Sequence, residues 1–231
     1  MIITILKRKG GVGASTLAVG IAGELLTRYS RDYSAKRTLI LDCDPQHSTK
    51  AWSEYGDSSA PSVLAEAIVP VDTDSPSEFR SILTEHERNR HLIIDCAPGF
   101  PVTAVAAAAA ADIILIPCGP SPLDLEPAAD ALEVAFEAKR QDAGRRIGLV
   151  PSKNLPRTRL GRELPQALKK LGASTVSKVM PGISQRVAVA EAVLSGQTIQ
   201  EYEPEGPSAQ EFQTLVEELL KWGDLGHLVE G

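Results

Sequence analysis

Short runs of Ile, Leu and Val recur along the 231-residue chain, each separated from the next by a stretch with helical spacing. The runs do not alternate with polar residues, which is typical of strands covered on both faces. They are IITIL (2–6), TLILD (38–42), HLIIDCA (91–97), DIILIPC (112–118) and RIGLVP (146–151). Strands that alternate with helices are joined by right-handed crossovers. The pattern therefore predicts an α/β fold, with a doubly wound, mostly parallel sheet flanked by helices.

The stretches between the runs supply the helix candidates. Apolar residues recur at helical spacing over 17–25, 76–89 and 122–141, and the alanine run 106–111 favours a short, closely packed helix. Ligands of doubly wound sheets bind beyond the carboxyl ends of the strands. Candidate functional residues are therefore sought directly after each predicted strand.

Neither an internal repeat nor a long linker divides the chain, so we expect one domain over residues 1–231. A C-terminal helix is predicted over 208–223, and its apolar face consists of Phe212, Leu215, Leu219 and Trp222. The polar side of this helix is acidic, which argues against binding to an anionic membrane surface. We expect the helix to pack on the domain and expect no membrane contact.

Charge is unevenly distributed in the chain. The formal net charge of −6 excludes a wholly basic nucleic-acid-binding protein. Residues 144–190 are nevertheless strongly basic, with Glu163 as the one acid, and residues 191–224 are strongly acidic. The three cysteines, Cys43, Cys96 and Cys118, form no C-x-x-C pair and predict buried, reduced thiols. With no signal-peptide pattern at the N-terminus, a cytoplasmic protein is expected.

A glycine-rich loop follows the first predicted strand. Gly10, Gly11 and Gly13 allow the backbone N–H groups and the following helix N-terminus to point at an anion. Ser15 or Thr16 then supplies a hydroxyl to a magnesium ion, as in phosphate-binding loops. An ordinary glycine-rich strand-to-helix turn is the structural alternative. Ala14 stands where a phosphate-binding lysine is expected.

Carboxylates follow the next two predicted strands. Asp42 and Asp44 share a face of an extended segment, so both are candidates to approach one metal ion or one water molecule. Asp44, which precedes Pro45, is also a good helix N-cap, and the two interpretations are compatible. Asp95 ends the third run, where a carboxylate can order the water ligands of magnesium.

Taken together, these motifs resemble those of the ParA/MinD class of deviant-Walker-A P-loop ATPases, and most closely the small ParA-type plasmid and chromosome partition ATPases. KGGVGAST matches the phosphate loop of that family except at Ala14, the Walker A lysine position. The resemblance extends from Met1 to Glu203. Its further motifs are LILDCDPQ, LIIDCAPG, IPCGPSPLDLEPA and SQRVAVAEAVLSGQTI.

The resemblance implies a role for each matching residue. Lys9 is the signature lysine that reaches the partner's phosphates in an ATP-bound dimer, and Asp44 orients the attacking water. Ser15, Asp42 and Asp95 hold or support Mg²⁺. ATP or ADP is bound by the loop and by a segment after the fifth run, which together comprise Gly10, Gly11, Val12, Gly13, Ala14, Ser15, Thr16, Ser152 and Lys153.

The resemblance also implies partners and a location. The family forms an ATP-bound homodimer that binds DNA without sequence preference at the nucleoid, and a ParB-like or cargo-adaptor protein stimulates hydrolysis. Basic side chains that neutralise phosphates give such binding. The candidates are Arg157, Arg159, Lys169, Lys170, Lys178 and Arg186. Alternatively, these residues form solvated helix faces or bind the acidic C-terminal segment.

Ala14 leaves three accounts open. In the first account, Ala14 is an introduced substitution that disables an ATPase. In the second, it is a natural feature of a protein that binds nucleotide weakly. In the third, a basic residue from elsewhere in the chain reaches the phosphates in place of the missing lysine. Retention of Lys9, Asp42, Asp44 and Asp95 favours the first account. Loss of one charge-assisted contact lowers affinity roughly 10- to 150-fold, so we expect a mainly monomeric protein with weak or no turnover. The alternative functions are a non-enzymatic P-loop adaptor and, less favoured, an ATP-dependent ligase or reductase.

Overall fold

A single parallel sheet organises the protein, and the computed structural model describes residues 1–29, 38–56, 62–86, 88–89, 91–175 and 177–224. The strands within these ranges are β1 (Ile2–Ile5), β2 (Thr38–Cys43), β3 (Ile68–Pro70), β4 (His91–Cys96), β5 (Ile113–Cys118), β6 (Arg146–Pro151) and β7 (Lys178–Val179). Their order across the sheet is β3-β2-β4-β1-β5-β6-β7, and every pair is parallel. The structure confirms the predicted doubly wound sheet.

Helices cover both faces of the sheet. They are α1 (Ala14–Arg28), α2 (Ser48–Glu54), α3 (Pro76–His86), α4 (Val102–Ala110), α5 (Pro122–Gln141), α6 (Arg159–Leu171), α7 (Val187–Leu194), α8 (Ile199–Tyr202) and α9 (Pro207–Asp224). Apolar residues of α1, α7, α8 and α9 form one core layer against the sheet. Those of α3, α4, α5 and α6 form the other. Burial on both faces explains why the central strands are almost entirely apolar.

The strand register determines where the functional residues meet. β1 lies between β4 and β5, and β2 pairs with the other edge of β4. Asp42 on β2 is level with Asp95 on β4, and Ile5 on β1 is level with Asp95 from the other side. The carboxyl ends of three adjacent strands therefore bring the glycine-rich loop, Asp44 and Asp95 to one edge of the sheet.

Some elements are not predicted by the apolar pattern. β3 and β7 are the two outermost strands and contain three and two residues. Strands this short carry no recognisable apolar run. α6 contains an interior proline, Pro165, which is a helix-breaking signal in sequence. α4 begins at Val102, before the predicted start at Ala106, because Pro101 sets the preceding turn.

The C-terminal helix α9 packs against α1. Phe212, Leu215, Val216 and Leu219 of α9 are buried in the same core layer as Leu17 and Ile21. No helix in the described part of the chain has the length and apolar composition needed to cross a bilayer. The residues of the predicted domain beyond position 224 lie outside the described ranges.

Candidate nucleotide-binding site

The loop between β1 and α1 has the backbone form of an anion-binding turn. Gly11 and Gly13 adopt positive φ angles of 80° and 87°, a conformation that favours glycine. Gly13 caps α1 and supplies no side-chain acceptor, so the first N–H groups of the helix remain available to an anion. A Cβ atom added at Gly10 or Gly11 would meet nothing within 4 Å, which shows open space above this part of the loop. Val12 is buried beneath it.

Gly13 is instead packed closely against the segment after β6. A Cβ atom at Gly13 would lie 2.7 Å from Ser152 Oγ and 3.6 Å from Lys153 Cε. Lys153 has a positive φ of 49°, which is uncommon for a residue other than glycine. Ser152 and Lys153, predicted from the resemblance alone, thus lie beside the loop.

A cavity of about 250 Å³ opens next to the loop. Gly13, Thr16 and Leu17 form one wall, and Ser152 and Lys153 form another. The remaining wall comes from α7 and the turn before it, and consists of Ile183, Ser184, Gln185, Arg186, Val189, Ala190 and Val193. The lining combines an apolar surface with a few polar groups, as is usual for small-molecule sites.

Lys7, which no sequence motif marks as a site residue, lies at the centre of a buried ionic cluster. Its Nζ is 3.0 Å from Asp44 Oδ2 and 3.0 Å from Asp95 Oδ1. Ser15 Oγ donates a 2.7 Å hydrogen bond to the second oxygen of Asp95. One carboxyl group therefore joins Lys7 to the first turn of α1. The available sequence signal is a lysine placed directly after a buried apolar strand.

Burial and ion pairing shift the pKa values of Lys7 and Asp95 in opposite directions. Burial by itself lowers the pKa of Lys7, but the Asp95 and Asp44 carboxylates outweigh that effect and raise the pKa above its usual 10.5. Burial raises the pKa of Asp95, while Lys7 and Ser15 favour its ionised form. Lys7 therefore remains a cation in the folded protein at neutral pH.

Asp42 has a different set of partners from Asp44. Its Oδ2 accepts hydrogen bonds from the backbone N–H groups of Thr49 (3.2 Å) and Lys50 (3.1 Å) and from the Thr49 hydroxyl (2.5 Å). Its Oδ1 accepts from the Asp44 N–H (3.3 Å). Asp42 thus closes the N-terminus of α2, whereas Asp44, the expected cap, contacts Lys7 and the N–H of Gln46 (3.1 Å). The predicted helix cap at Asp44 is wrong, because the chain continues three residues further before α2 begins.

Lys9 makes an ion pair within the chain. Its Nζ is 2.5 Å from Oδ1 of Asp124, a residue in the first turn of α5. Lys9 is half-exposed, and Asp124 is mostly buried. Lys9, for which the resemblance implies the role of signature lysine, is therefore held beside the loop by its own subunit. Asp124 is a further site residue that lies within the PSPLDLEPA motif.

The basic candidates for DNA binding are dispersed over the structure. Arg157 precedes α6, whereas Lys169 and Lys170 occupy its last turn, and all three are exposed. Arg159 pairs with Glu163 at 2.8 Å. Lys178 and Arg186 contact the acidic helix α9, through Glu218 and Glu211 respectively. Lys178 and Arg186 thus bind the acidic C-terminal segment, which is the alternative to DNA binding that the sequence left open for them.

The cysteines end strands β2, β4 and β5, where Cys96 and Cys118 are buried as predicted but Cys43 is only half-buried. All three are free thiols, and burial raises the pKa values of Cys43 and Cys118 to about 12. They stay protonated at neutral pH and are poor nucleophiles. Within the described ranges, no three His, Cys, Asp or Glu side chains form a metal-binding cluster. Magnesium in phosphate sites needs only one or two protein ligands beside phosphate and water.

The donor set therefore fits a magnesium-bound phosphate group. The open loop offers backbone N–H groups, Ser15 offers a hydroxyl, and Asp95 and Asp44 offer carboxylates at the same strand edge. One feature departs from the expected pattern. Ala14 at the start of α1 carries only a methyl group, and the buried cation is Lys7, which lies just after β1.

Known proteins similar in sequence or fold include nucleotide-binding ATPases. The chain is 25% identical over 221 residues to the maintenance of carboxysome distribution protein A of Halothiobacillus neapolitanus, covering 94% of this chain and 95% of that protein. It is 26% identical over 248 residues to the chromosome-partitioning ATPase Soj of Thermus thermophilus, covering 94% of each. The structure of the septum site-determining protein MinD from Pyrococcus horikoshii, complexed with Mg-ADP, superposes with a TM-score of 0.71 at 19% identity, covering 97% of this chain and 98% of that one. Residues 3–199 match the CobQ/CobB/MinD/ParA nucleotide binding domain, and the chain belongs to that family.

Proposed function

We propose that this protein is a ParA-type partition or positioning ATPase that binds ATP or ADP with Mg²⁺ at the loop between β1 and α1. The observation that carries this proposal is the meeting of the open glycine loop, Ser15, Asp44 and Asp95 at one edge of the sheet. The family match over residues 3–199 and the named relatives support it.

The site residues divide into those that hold the nucleotide and those that act on it. The loop N–H groups of residues 10–16 bind phosphate oxygens, and Ser15 with Asp95 holds Mg²⁺. The cavity beside Ser152 and Lys153 accepts the nucleoside. Asp44 orients the attacking water, and Lys9 leaves Asp124 to reach the partner's phosphates in an ATP-bound homodimer. Magnesium supplies charge neutralisation of the phosphates when bound.

The cargo and partners follow from the same proposal. The named relatives act in carboxysome distribution and in chromosome partitioning, so the cargo is a large body positioned within the cell. We propose that the ATP-bound dimer binds DNA without sequence preference through its basic segment and so associates with the nucleoid in the cytoplasm. A ParB-like or cargo-adaptor protein then triggers its release.

Titration calorimetry with Mg²⁺ and ATP, on this chain and on Ala14→Lys, tests the proposed nucleotide site. We expect both proteins to bind, with tighter binding and faster hydrolysis for Ala14→Lys because a further cation then faces the phosphates. Light scattering on the same samples measures ATP-dependent dimerisation. Absence of binding in both proteins would contradict the proposal.

The second candidate function is a non-enzymatic adaptor that binds a partner protein without ATP. The observation that favours it is the buried methyl group of Ala14 at the position of the phosphate-binding lysine. An adaptor gains neither turnover nor dimerisation from Ala14→Lys. The comparison of the two proteins therefore separates the two functions.

A further inference from the structure

Lys7 is buried where a lysine ordinarily extends to solvent. It lies two residues after the end of β1, and its side chain is 5% exposed. Long basic side chains near the ends of strands usually carry their charge out to water. An ammonium group withdrawn from water is strongly disfavoured unless charged partners compensate for it. Asp44 and Asp95 supply that compensation, so the fold holds a cation at this depth.

The Lys7 ammonium keeps bonding capacity beyond its two partners. An ammonium group has three N–H donors. In the described part of the chain, Asp44 and Asp95 are the acceptors that Lys7 contacts. A third donor is thus left for an oxygen that is not part of these residues. Buried donors without acceptors are rare, because each is destabilising.

The Lys7 ammonium group is joined to the first turn of α1 by one carboxylate. Asp95 bridges Lys7 to Ser15, which directly follows Ala14 in the first turn of α1. The next two cations along the chain, Arg8 and Lys9, each pair with a carboxylate of α5. Lys9 is paired with Asp124, and Arg8 is paired with Asp130 at 3.4 Å.

We propose that Lys7 is the phosphate-binding cation of this site and that it contacts the terminal phosphate of a bound nucleoside triphosphate, in place of a lysine at position 14. This inference rests on the proposed nucleotide site. The terminal phosphate is the one concerned because Asp44 and Asp95, which hold Lys7, are the carboxylates assigned to the attacking water and to Mg²⁺. The charge missing at position 14 is thus supplied by Lys7, which lies just after β1.

The first experiment compares triphosphate with diphosphate binding in Lys7→Met. Calorimetry with Mg²⁺ measures the affinities for AMP-PNP and for ADP. We expect the affinity for AMP-PNP to fall roughly 10- to 150-fold, the effect of one charge-assisted contact, and the affinity for ADP to fall much less. Arg8→Met is the matched control, because Arg8 directly follows Lys7 in the chain but is half-exposed and paired with Asp130.

A second pair of variants separates phosphate binding from the folding of the cluster. Lys7→Met leaves two buried carboxylates without a cation and can unfold the site. Asp44→Asn removes one of those charges, so Asp44→Asn and Lys7→Met/Asp44→Asn differ only at Lys7. Melting temperatures show that each protein is folded. We expect AMP-PNP to bind the double variant 10- to 150-fold more weakly than Asp44→Asn, and Ala14→Lys to restore binding to Lys7→Met.

The outcomes distinguish this inference from the proposed function. If the unmodified chain binds ADP and AMP-PNP, and loss of Lys7 changes neither affinity, Lys7 is a structural counter-ion and the inference is wrong. A loss confined to Arg8→Met would place the phosphate-binding cation at Arg8 and would also overturn it. If AMP-PNP binds only after Ala14→Lys, the nucleotide site stands and the inference fails. If no variant binds either nucleotide, both fail.

Discussion

Asp42 binds the N-terminus of α2 from within β2. Its carboxylate is completely buried and receives four hydrogen bonds, from Asp44, from Lys50 and twice from Thr49. Two of these donors are the second and third N–H groups of α2, which are unpaired within any helix. In the sheet, Asp42 is also level with Asp95 on the neighbouring strand β4.

We expect Asp42→Asn to reduce the free energy of unfolding by about 1–3 kcal/mol, because an amide turns one acceptor oxygen into a donor that faces other donors. Urea unfolding measures this loss. Asp72→Asn is the control, since Asp72 is exposed and its replacement stays within about 0.5 kcal/mol. The loss is expected to be the same with and without Mg²⁺. Stabilisation of the parent protein, but not of the variant, by magnesium would show that Asp42 supports the metal.

Contact between α1 and α9 depends on a glycine within α1. A Cβ atom at Gly20 would lie 2.2 Å from Cε1 and Cζ of Phe212, whose ring is buried. The two helices therefore approach more closely than side chains on both would allow. Helical spacing predicts the apolar face of α9, but the helix that it packs against is decided by the three-dimensional arrangement.

We expect Gly20→Ala to destabilise the protein by about 1–3 kcal/mol through this clash. The same substitution in an unobstructed helix stabilises by about 0.5–1 kcal/mol. A double-mutant cycle with Phe212→Leu tests the cause, because leucine lacks the Cε1 and Cζ atoms. Thermal or urea unfolding of the four proteins should show a smaller loss for Gly20→Ala in the Phe212→Leu background. Equal losses in both backgrounds would exclude the ring as the source.

At the scale of the whole molecule, the basic and acidic segments of the chain partly neutralise each other. Lys178 and Arg186 contact Glu218 and Glu211 of α9. Among the six candidates for DNA binding, the exposed charges without an acidic partner in the described ranges are Arg157, before α6, and Lys169 and Lys170, in its last turn. A helix of this length separates those positions by about 20 Å. A DNA-binding surface built from them would be extended, as the backbone of a duplex requires.

We expect Lys169→Glu with Lys170→Glu to weaken binding to duplex DNA in the presence of Mg²⁺ and ATP, and to reduce its salt dependence. Each lost phosphate contact lowers the slope of log K against log salt by about 1. Arg80→Glu with Arg140→Glu makes the same change in net charge on α3 and α5 and serves as the control. Fluorescence anisotropy at several salt concentrations measures both slopes. Equal weakening by the two pairs would mean that net charge, and not this surface, governs binding.

The predictability of the candidate site differs from residue to residue. The glycine loop, Ser15, Asp44 and Asp95 are marked by local motifs, since each follows a recognisable apolar strand. Lys7 is not marked, because its two partners come from β2 and β4 and contact it only once the sheet has formed.

The amino-acid sequence by itself determines the α/β fold class, the central strands and the family, because strand and helix periodicity and strand-end motifs are local properties of the chain. Only the tertiary structure decides which charged groups meet. In the folded protein, Asp42 accepts hydrogen bonds from the N-terminus of α2, Lys9 pairs with Asp124, and Lys7 pairs with the carboxylates beside the loop. The physical reason is that a side chain's partners depend on strand order, register and packing, which bring together residues far apart in sequence.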